Sequence, residues 1–130
     1  MKELVGRRIY KGMAEGEALV TGQAISFYGG VDPEKGMIVE RGHELEGQHI
    51  TNKILVFPRG KGSTVGSYIL YHLSKVGNAP KALILAECEA IVAVGCIIGE
   101  IPCVDHIDIQ KIHTGTDIRV NATQGVIEVM

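Results

Sequence analysis

Long apolar runs are missing from this sequence: none reaches the roughly 18 residues that suggest a membrane-spanning helix. The longest, near Ala90 to Ile98, is broken by Gly95 and reads as core. The opening residues, Met1-Lys2-Glu3-Leu4-Val5-Gly6-Arg7-Arg8, are too charged for the apolar centre of a secretory signal. Cysteine is scarce. Cys88, Cys96 and Cys103 are odd in number and sit among apolar residues. That excludes a disulfide framework and points to a reducing, cytoplasmic setting. The three are also too widely spaced for a Cys-x-x-Cys zinc or iron–sulfur site, so core packing is expected for them. The five histidines (His43, His49, His72, His106 and His113) lack metal-ligand spacing, and no metal site is expected in this chain. An excess of either charge is lacking too: the net charge is −2, so no global field attracts nucleic acid or an anionic membrane. Any basic site must be local.

Glycine is abundant, with 17 residues, about double its usual share. Such usage marks tight turns, or backbone that must approach something closely. Hydrophobic residues make up 45% of 130 residues. That suits one globular domain, expected over residues 1–130, with a single core.

The first half reads as β. Arg7–Lys11 is a short strand, Glu17–Phe27 a bulged strand or hairpin interrupted at Gly22, and Met37–Val39 a brief strand. Tyr28–Gly36 and Arg41–Gln48 read as loops. The character changes at Lys53. Lys53–Phe57 is a buried strand, and Ser63 opens a helical pattern through Val65, Ile69, Leu70, Leu73 and Val76 that Gly77 and Pro80 end. Ala82–Ala86 is a second buried strand, Glu87–Ile98 a second helix, and Cys103–Asp105 a third strand. This β-α-β-α-β order predicts a small parallel sheet with right-handed crossovers. The tail returns to β at Asp117–Asn121 and Gly125–Val129.

The most informative segment is Pro58-Arg59-Gly60-Lys61-Gly62-Ser63-Thr64-Val65-Gly66-Ser67, between a buried strand and a helix. Ligands gather beyond the carboxyl ends of strands in open parallel sheets. Gly60 and Gly62 let backbone N–H groups approach an anion, and the helix start adds partial positive charge. Arg59 and Lys61 supply formal charge; Ser63, Thr64 and Ser67 supply hydroxyls. The segment therefore has the makings of an anion cradle with a hydroxyl at its centre. A serine after glycine at a helix start also serves simply as an N-cap, and the local pattern leaves both roles open. A nucleotide P-loop is excluded, because Gly-Lys-Gly-Ser breaks the Gly-Lys-Ser/Thr adjacency and Val56 and Phe57 occupy the upstream glycine region. Val104-Asp105-His106-Ile107-Asp108 could present acids at a strand end, although such residues more often cap turns. Glu87 and Glu89 suit the start of the second helix.

With these residues in place, the chain resembles the small subunit of the aconitase X family over nearly its whole length. Three motifs carry the resemblance: Gly29-Gly30-Val31-Asp32-Pro33 followed by Gly36; Pro58 to Tyr68, the most specific; and Gly99-Glu100-Ile101-Pro102-Cys103-Val104-Asp105. The resemblance implies an α/β swivelling β/β/α domain, with a small parallel sheet and additional strands, that closes over a large catalytic subunit. It implies a hydro-lyase that dehydrates (R)-5-phosphomevalonate to trans-anhydromevalonate 5-phosphate in isoprenoid biosynthesis. Cysteines of the large subunit would hold an iron–sulfur cluster, with none bound by this chain. Ser63 would be the proton acceptor, and Arg59, Gly60, Lys61, Gly62, Thr64 and Ser67 would bind substrate. Thr64 stands where a second serine is common in the family, a mild difference. Other readings are a dehydratase for another hydroxy acid, such as a hydroxyproline, and a non-catalytic module that binds a phosphorylated metabolite. A swivelling phosphohistidine carrier would need a histidine in the loop, which offers Ser63 and Thr64 instead.

Overall fold

The computed structural model describes residues 1–130. Along them run β1 (Lys2–Val5), β2 (Arg7–Tyr10), β3 (Met13–Val20), a distorted single turn α1 (Phe27–Gly30), β4 (Val31–Asp32), β5 (Met37–Ile38) and β6 (Ile54–Phe57). Then come α2 (Gly66–Lys75), β7 (Ala82–Leu85), α3 (Ala90–Gly99), β8 (Cys103–Asp105), a 3₁₀ turn (Ile109–Lys111), β9 (Asp117–Asn121) and β10 (Val126–Val129).

Eight strands form one sheet in the order β1-β10-β9-β3-β6-β7-β8-β2, while β4 and β5 make a separate small hairpin. The central β3-β6-β7-β8 pairings are parallel and the flanking ones antiparallel. β1 and β2 stand at opposite ends of this order, yet only Gly6 separates them in the chain. The sheet therefore curls until its two edges meet at Gly6, whose N–H donates to Gly125 O at 2.7 Å.

Side-chain alternation sorts the parallel strands into two cores. Ile54, Val56, Ala82, Ile84 and Val104 point inward, toward Ile118, Val120 and Ile127 of the antiparallel strands. Leu55, Phe57, Leu83, Leu85 and Cys103 point outward, where Leu70 and Leu73 of α2 and Val92 and Cys96 of α3 cover them. The result is the expected β/β/α layering. Both faces of the central strands are buried, which is why they read as continuous apolar runs rather than alternating ones. Truncating one such residue, as in Leu55→Ala, should cost about 2–5 kcal/mol. A methyl group at Gly95 of α3 would overlap the Leu70 side chain, so the missing side chain lets α2 and α3 pack closely.

The β6-α2-β7-α3-β8 succession follows the sequence reading, but several boundaries move. Residues 17–27 do not form a bulged hairpin. β3 begins earlier, at Met13, and ends at Val20; Thr21 N–H then donates to Val56 O at 2.9 Å, and Ile25 bridges to Gly60 in parallel. α2 begins at Gly66 rather than Ser63, because Ser63–Val65 form a turn closed by Gly66 N–H to Ser63 O at 3.0 Å. α3 begins at Ala90 rather than Glu87. The N–H groups of Glu87 and Cys88 are already committed, to Pro58 O at 3.0 Å and to Asp105 Oδ2 at 2.8 Å. Glu89 is instead the N-cap, accepting from Ile91 N–H at 2.9 Å. β1 was not foreseen.

Candidate active site

β6 delivers the chain to the loop at Pro58, beyond its carboxyl end. The loop is pinned from behind: Ile25 N–H donates to Arg59 O and Lys61 N–H donates to Ile25 O, both at 3.1 Å. Gly60 is buried against α3, where a Cβ would stand 2.5 Å from Glu89 Oε1 and 2.6 Å from Val92 Cγ2. It shapes the loop rather than lining its open side. Gly62 has φ of +91°, and a Cβ there would lie 2.5 Å from Ser26 Oγ. Only glycine takes this conformation at low cost.

Beyond that pin, the N–H groups of Gly62, Ser63 and Thr64 meet no acceptor in the chain. Three successive unpaired amides ahead of a helix leave donors available to an anion. Ser63 is exposed, and its Oγ accepts from Val65 N–H at 3.1 Å. An N–H donated to that oxygen favours its charged form; the helix itself starts at Gly66, with Val65 as its N-cap and no side-chain cap. Thr64 is exposed beside it. Arg59 is exposed and makes no side-chain hydrogen bond or ion pair, leaving its guanidinium free for a ligand. Lys61 is paired: its Nζ lies 2.9 Å from Glu40 Oε2. Ser67 is not brought into this group. It is buried, and its Oγ donates to Ile91 O at 2.7 Å, tying α2 to α3.

A cleft of about 280 Å³ opens beside the loop, lined by Ser26, Gly29, Gly30, Glu40, Lys61 and Gly62 among others. Two motifs some thirty residues apart, Gly29-Gly30 and Lys61-Gly62, therefore face each other across one space. Glu40 and Ser26 were missed in the sequence. Glu40 reaches the loop because the β4–β5 hairpin folds it back, with Val39 N–H donating to Gly30 O at 2.9 Å. No local pattern marks it. Its second oxygen, Oε1, is buried and unpaired.

Asp105, from the third motif, lies at the end of β8 with a fully buried side chain. Arg7 grips it with two bonds, Nε to Oδ1 at 2.9 Å and a terminal nitrogen to Oδ2 at 2.8 Å. Burial pushes its carboxyl up, but the Arg7 fork and the Cys88 amide outweigh burial and hold it below the ordinary carboxylate value. Asp105 is thus a structural clamp between β2, β8 and the start of α3.

The family profile for the aconitase X swivel domain matches residues 3–129. The chain belongs to the aconitase X swivel-domain family. It is 52% identical to the phosphomevalonate dehydratase small subunit of Thermococcus kodakarensis, over 98% of this chain and 96% of that one. It is 53% identical to the protein of the same name from Pyrococcus furiosus, again over 98% of this chain and 96% of that one. The crystal structure of Thermococcus kodakaraensis aconitase X, holo-form, superimposes with a TM-score of 0.99 at 52% identity, covering 100% of this chain and 99% of that one.

Two groups in this swivel domain bear on metal chemistry. Cys96 and Cys103 are buried in the outer core, and Cys88 packs against it. The Cys88 thiol donates to Glu89 O at 3.6 Å. The contact with Cys103, then burial, push the Cys88 thiol far up. Cys88 pulls the Cys103 thiol down, but Cys96 and burial outweigh it and leave it well above the usual value. Cys96 and Cys103 are packed among apolar core side chains, and the three thiols do not converge as a ligand set. Glu87, Asp105 and His106 also converge, with His106 Nε2 2.9 Å from Glu87 Oε2. Asp105 is already spent on Arg7 and Cys88, so this trio is read as part of the clamp. No helix is long and apolar enough to cross a membrane.

Proposed function

We propose that this chain is the small subunit of a two-subunit, cytoplasmic phosphomevalonate dehydratase, active only with its large subunit, and that Ser63 is its proton acceptor. The observation that carries the proposal is the exposed Ser63 hydroxyl in a loop whose Gly62, Ser63 and Thr64 amides have no partner in the chain, in a chain about half identical to phosphomevalonate dehydratase small subunits over their length.

Dehydration of (R)-5-phosphomevalonate removes a proton from the carbon beside the carboxylate and hydroxide from the next carbon. The C–H electron pair becomes the new C=C bond, the proton passes to the Ser63 alkoxide oxygen, and the hydroxyl leaves as hydroxide with the C–O electron pair; release of the proton from Ser63 completes the loss of one water. A serine hydroxyl is neutral near pH 7, so it can accept the proton only if its alkoxide is stabilised. Here Val65 N–H donates to that oxygen, and the unpaired amides and positive helix end lie alongside. Arg59, with no protein partner, and Lys61 supply charge for the substrate's carboxylate or phosphate, and Gly62 and Thr64 offer backbone donors to the same anion. Gly60 sets the loop's path. Ser67 fits helix packing better than substrate contact. The thiols of this chain are packed in its core and do not converge, which supports an iron–sulfur cofactor on the large subunit; no step is derived through it.

The proposal is tested by reconstitution. The purified chain and a large subunit are assayed separately and together with (R)-5-phosphomevalonate, and in parallel with hydroxyproline. Turnover of phosphomevalonate by the mixture only is the expected result. Turnover by the isolated small chain, or of hydroxyproline alone, would overturn it.

A further inference from the structure

Helix α3 spans ten residues without one charged side chain. A helix that is apolar on every side belongs in an interior. Yet only one side of α3 is covered: Val92, Gly95, Cys96 and Gly99 are buried, while Val94, Ile97 and Ile98 are 46%, 50% and 39% exposed. The facing side of α2 adds Tyr68, 67% exposed, and the turn before it adds Val65. Val65, Tyr68, Ile91, Val94 and Ile98 line a groove of about 480 Å³ between the helices. Nothing in the chain itself lies over it.

We propose that this α2–α3 groove is the surface on which the large subunit docks. The inference rests on the function proposed above. What identifies the occupant is continuity: Thr64 lines the groove and also stands next to Ser63 in the catalytic loop. A body that closes over the loop and excludes water must extend over Val65 and Tyr68. A second copy of this chain seated in the groove would instead cover Thr64 and obstruct the loop from substrate. The groove's chemistry specifies the partner's face. It must be apolar and shaped to receive the Tyr68 ring, since aromatic anchors in desolvated pockets dominate binding energy. The charges at the ends of α2 and α3, Lys75 and Glu100, would lie at the wet rim.

The test is titration of the full-length chain into purified large subunit, followed by calorimetry, with wild type, Val94→Glu and Tyr68→Ser. Both altered side chains are exposed, so the melting temperature of the small chain should not change. The dissociation constant should rise about 100-fold for Val94→Glu, a hot-spot-sized loss. Turnover per complex should return to the wild-type value when the variant is added to saturation. Ser63→Ala should show the reverse pattern, unchanged affinity with lost turnover, so a failed docking surface and a failed serine base give different results. Wild-type affinity in both groove variants would overturn the docking surface while leaving the catalytic reading intact. A wild-type small chain that self-associates in sedimentation, and that Val94→Glu makes monomeric without weakening large-subunit binding, would assign the groove to a second copy and overturn it too.

Discussion

Lys61 Nζ sits 2.9 Å from Glu40 Oε2, and that contact ties the glycine-rich loop to the hairpin that follows the Gly29-Gly30 turn. Both side chains keep some exposure, so the pair should add little stability, about 0–1 kcal/mol. Its weight lies in placing a cation at the cleft. Lys61→Met should therefore leave the melting temperature nearly unchanged and raise KM of the reconstituted enzyme about 10- to 100-fold, the value of one charge-assisted hydrogen bond. Steady-state kinetics beside a thermal melt check this; an unchanged KM would remove Lys61 from the substrate site.

Asp105 predicts a pH dependence. Its folded carboxyl is depressed below the ordinary value of 3.8. A depressed acid contributes stability that is present above the unfolded value and lost as pH falls through the folded one. Asp105→Asn should thus destabilise the chain at pH 7, by about 2 kcal/mol for the weakened buried bonds. The gap from wild type should narrow below about pH 4. Urea denaturation at pH 7 and pH 3 measures it, and a gap that widens in acid would contradict the clamp.

Gly62→Ala separates loop geometry from loop chemistry. The new methyl meets Ser26 Oγ and a backbone at φ of +91°, a left-handed strain of about 1–2 kcal/mol. Gly42→Ala carries a similar positive φ with open space around it. Both should lower stability, but only Gly62→Ala should also reduce turnover, because it moves the unpaired amides. Equal turnover in the two variants would show that the cradle tolerates displacement.

The cysteines should be slow. With the Cys88 and Cys103 thiols pushed up and Cys96 buried, iodoacetamide at pH 8 should modify the native chain far more slowly than a free thiol. All three should react once the chain is unfolded in urea. Rapid native labelling at any of them would contradict the packed-thiol arrangement.

The second half of the fold was legible because β6, β7 and α2 are local patterns: two buried apolar runs, and a helical spacing closed by Gly77 and Pro80. The first half was not. β1 pairs with β10, over a hundred residues away, and β3 continues past Val20 as a single bridge from Ile25 to Gly60. Such pairings leave no periodic mark. The loop that carries the proposed base stood out from Gly-Lys-Gly-Ser next to a buried strand. Its partners could not: Glu40 and Ser26 reach it only through tertiary folding, and Ser67, on the right turn by sequence, points into the helix interface. The helix boundaries missed by three residues, because Ser63–Val65 and Glu87–Glu89 use their backbone groups in turns and caps.

Ser63 decides the account. Its Oγ accepts from Val65 N–H in the turn that precedes α2, so Ser63→Ala removes that local hydrogen bond, worth about 0.5–1.5 kcal/mol, as well as the proposed base. The direct measurement is turnover of (R)-5-phosphomevalonate by a Ser63→Ala complex whose assembly and melting temperature are determined in the same preparation. The account predicts an assembled, folded complex with turnover reduced roughly 10²–10⁴-fold. An assembled Ser63→Ala complex with near-normal turnover would contradict it and leave the serine hydroxyl only its bond to Val65 in the turn before α2.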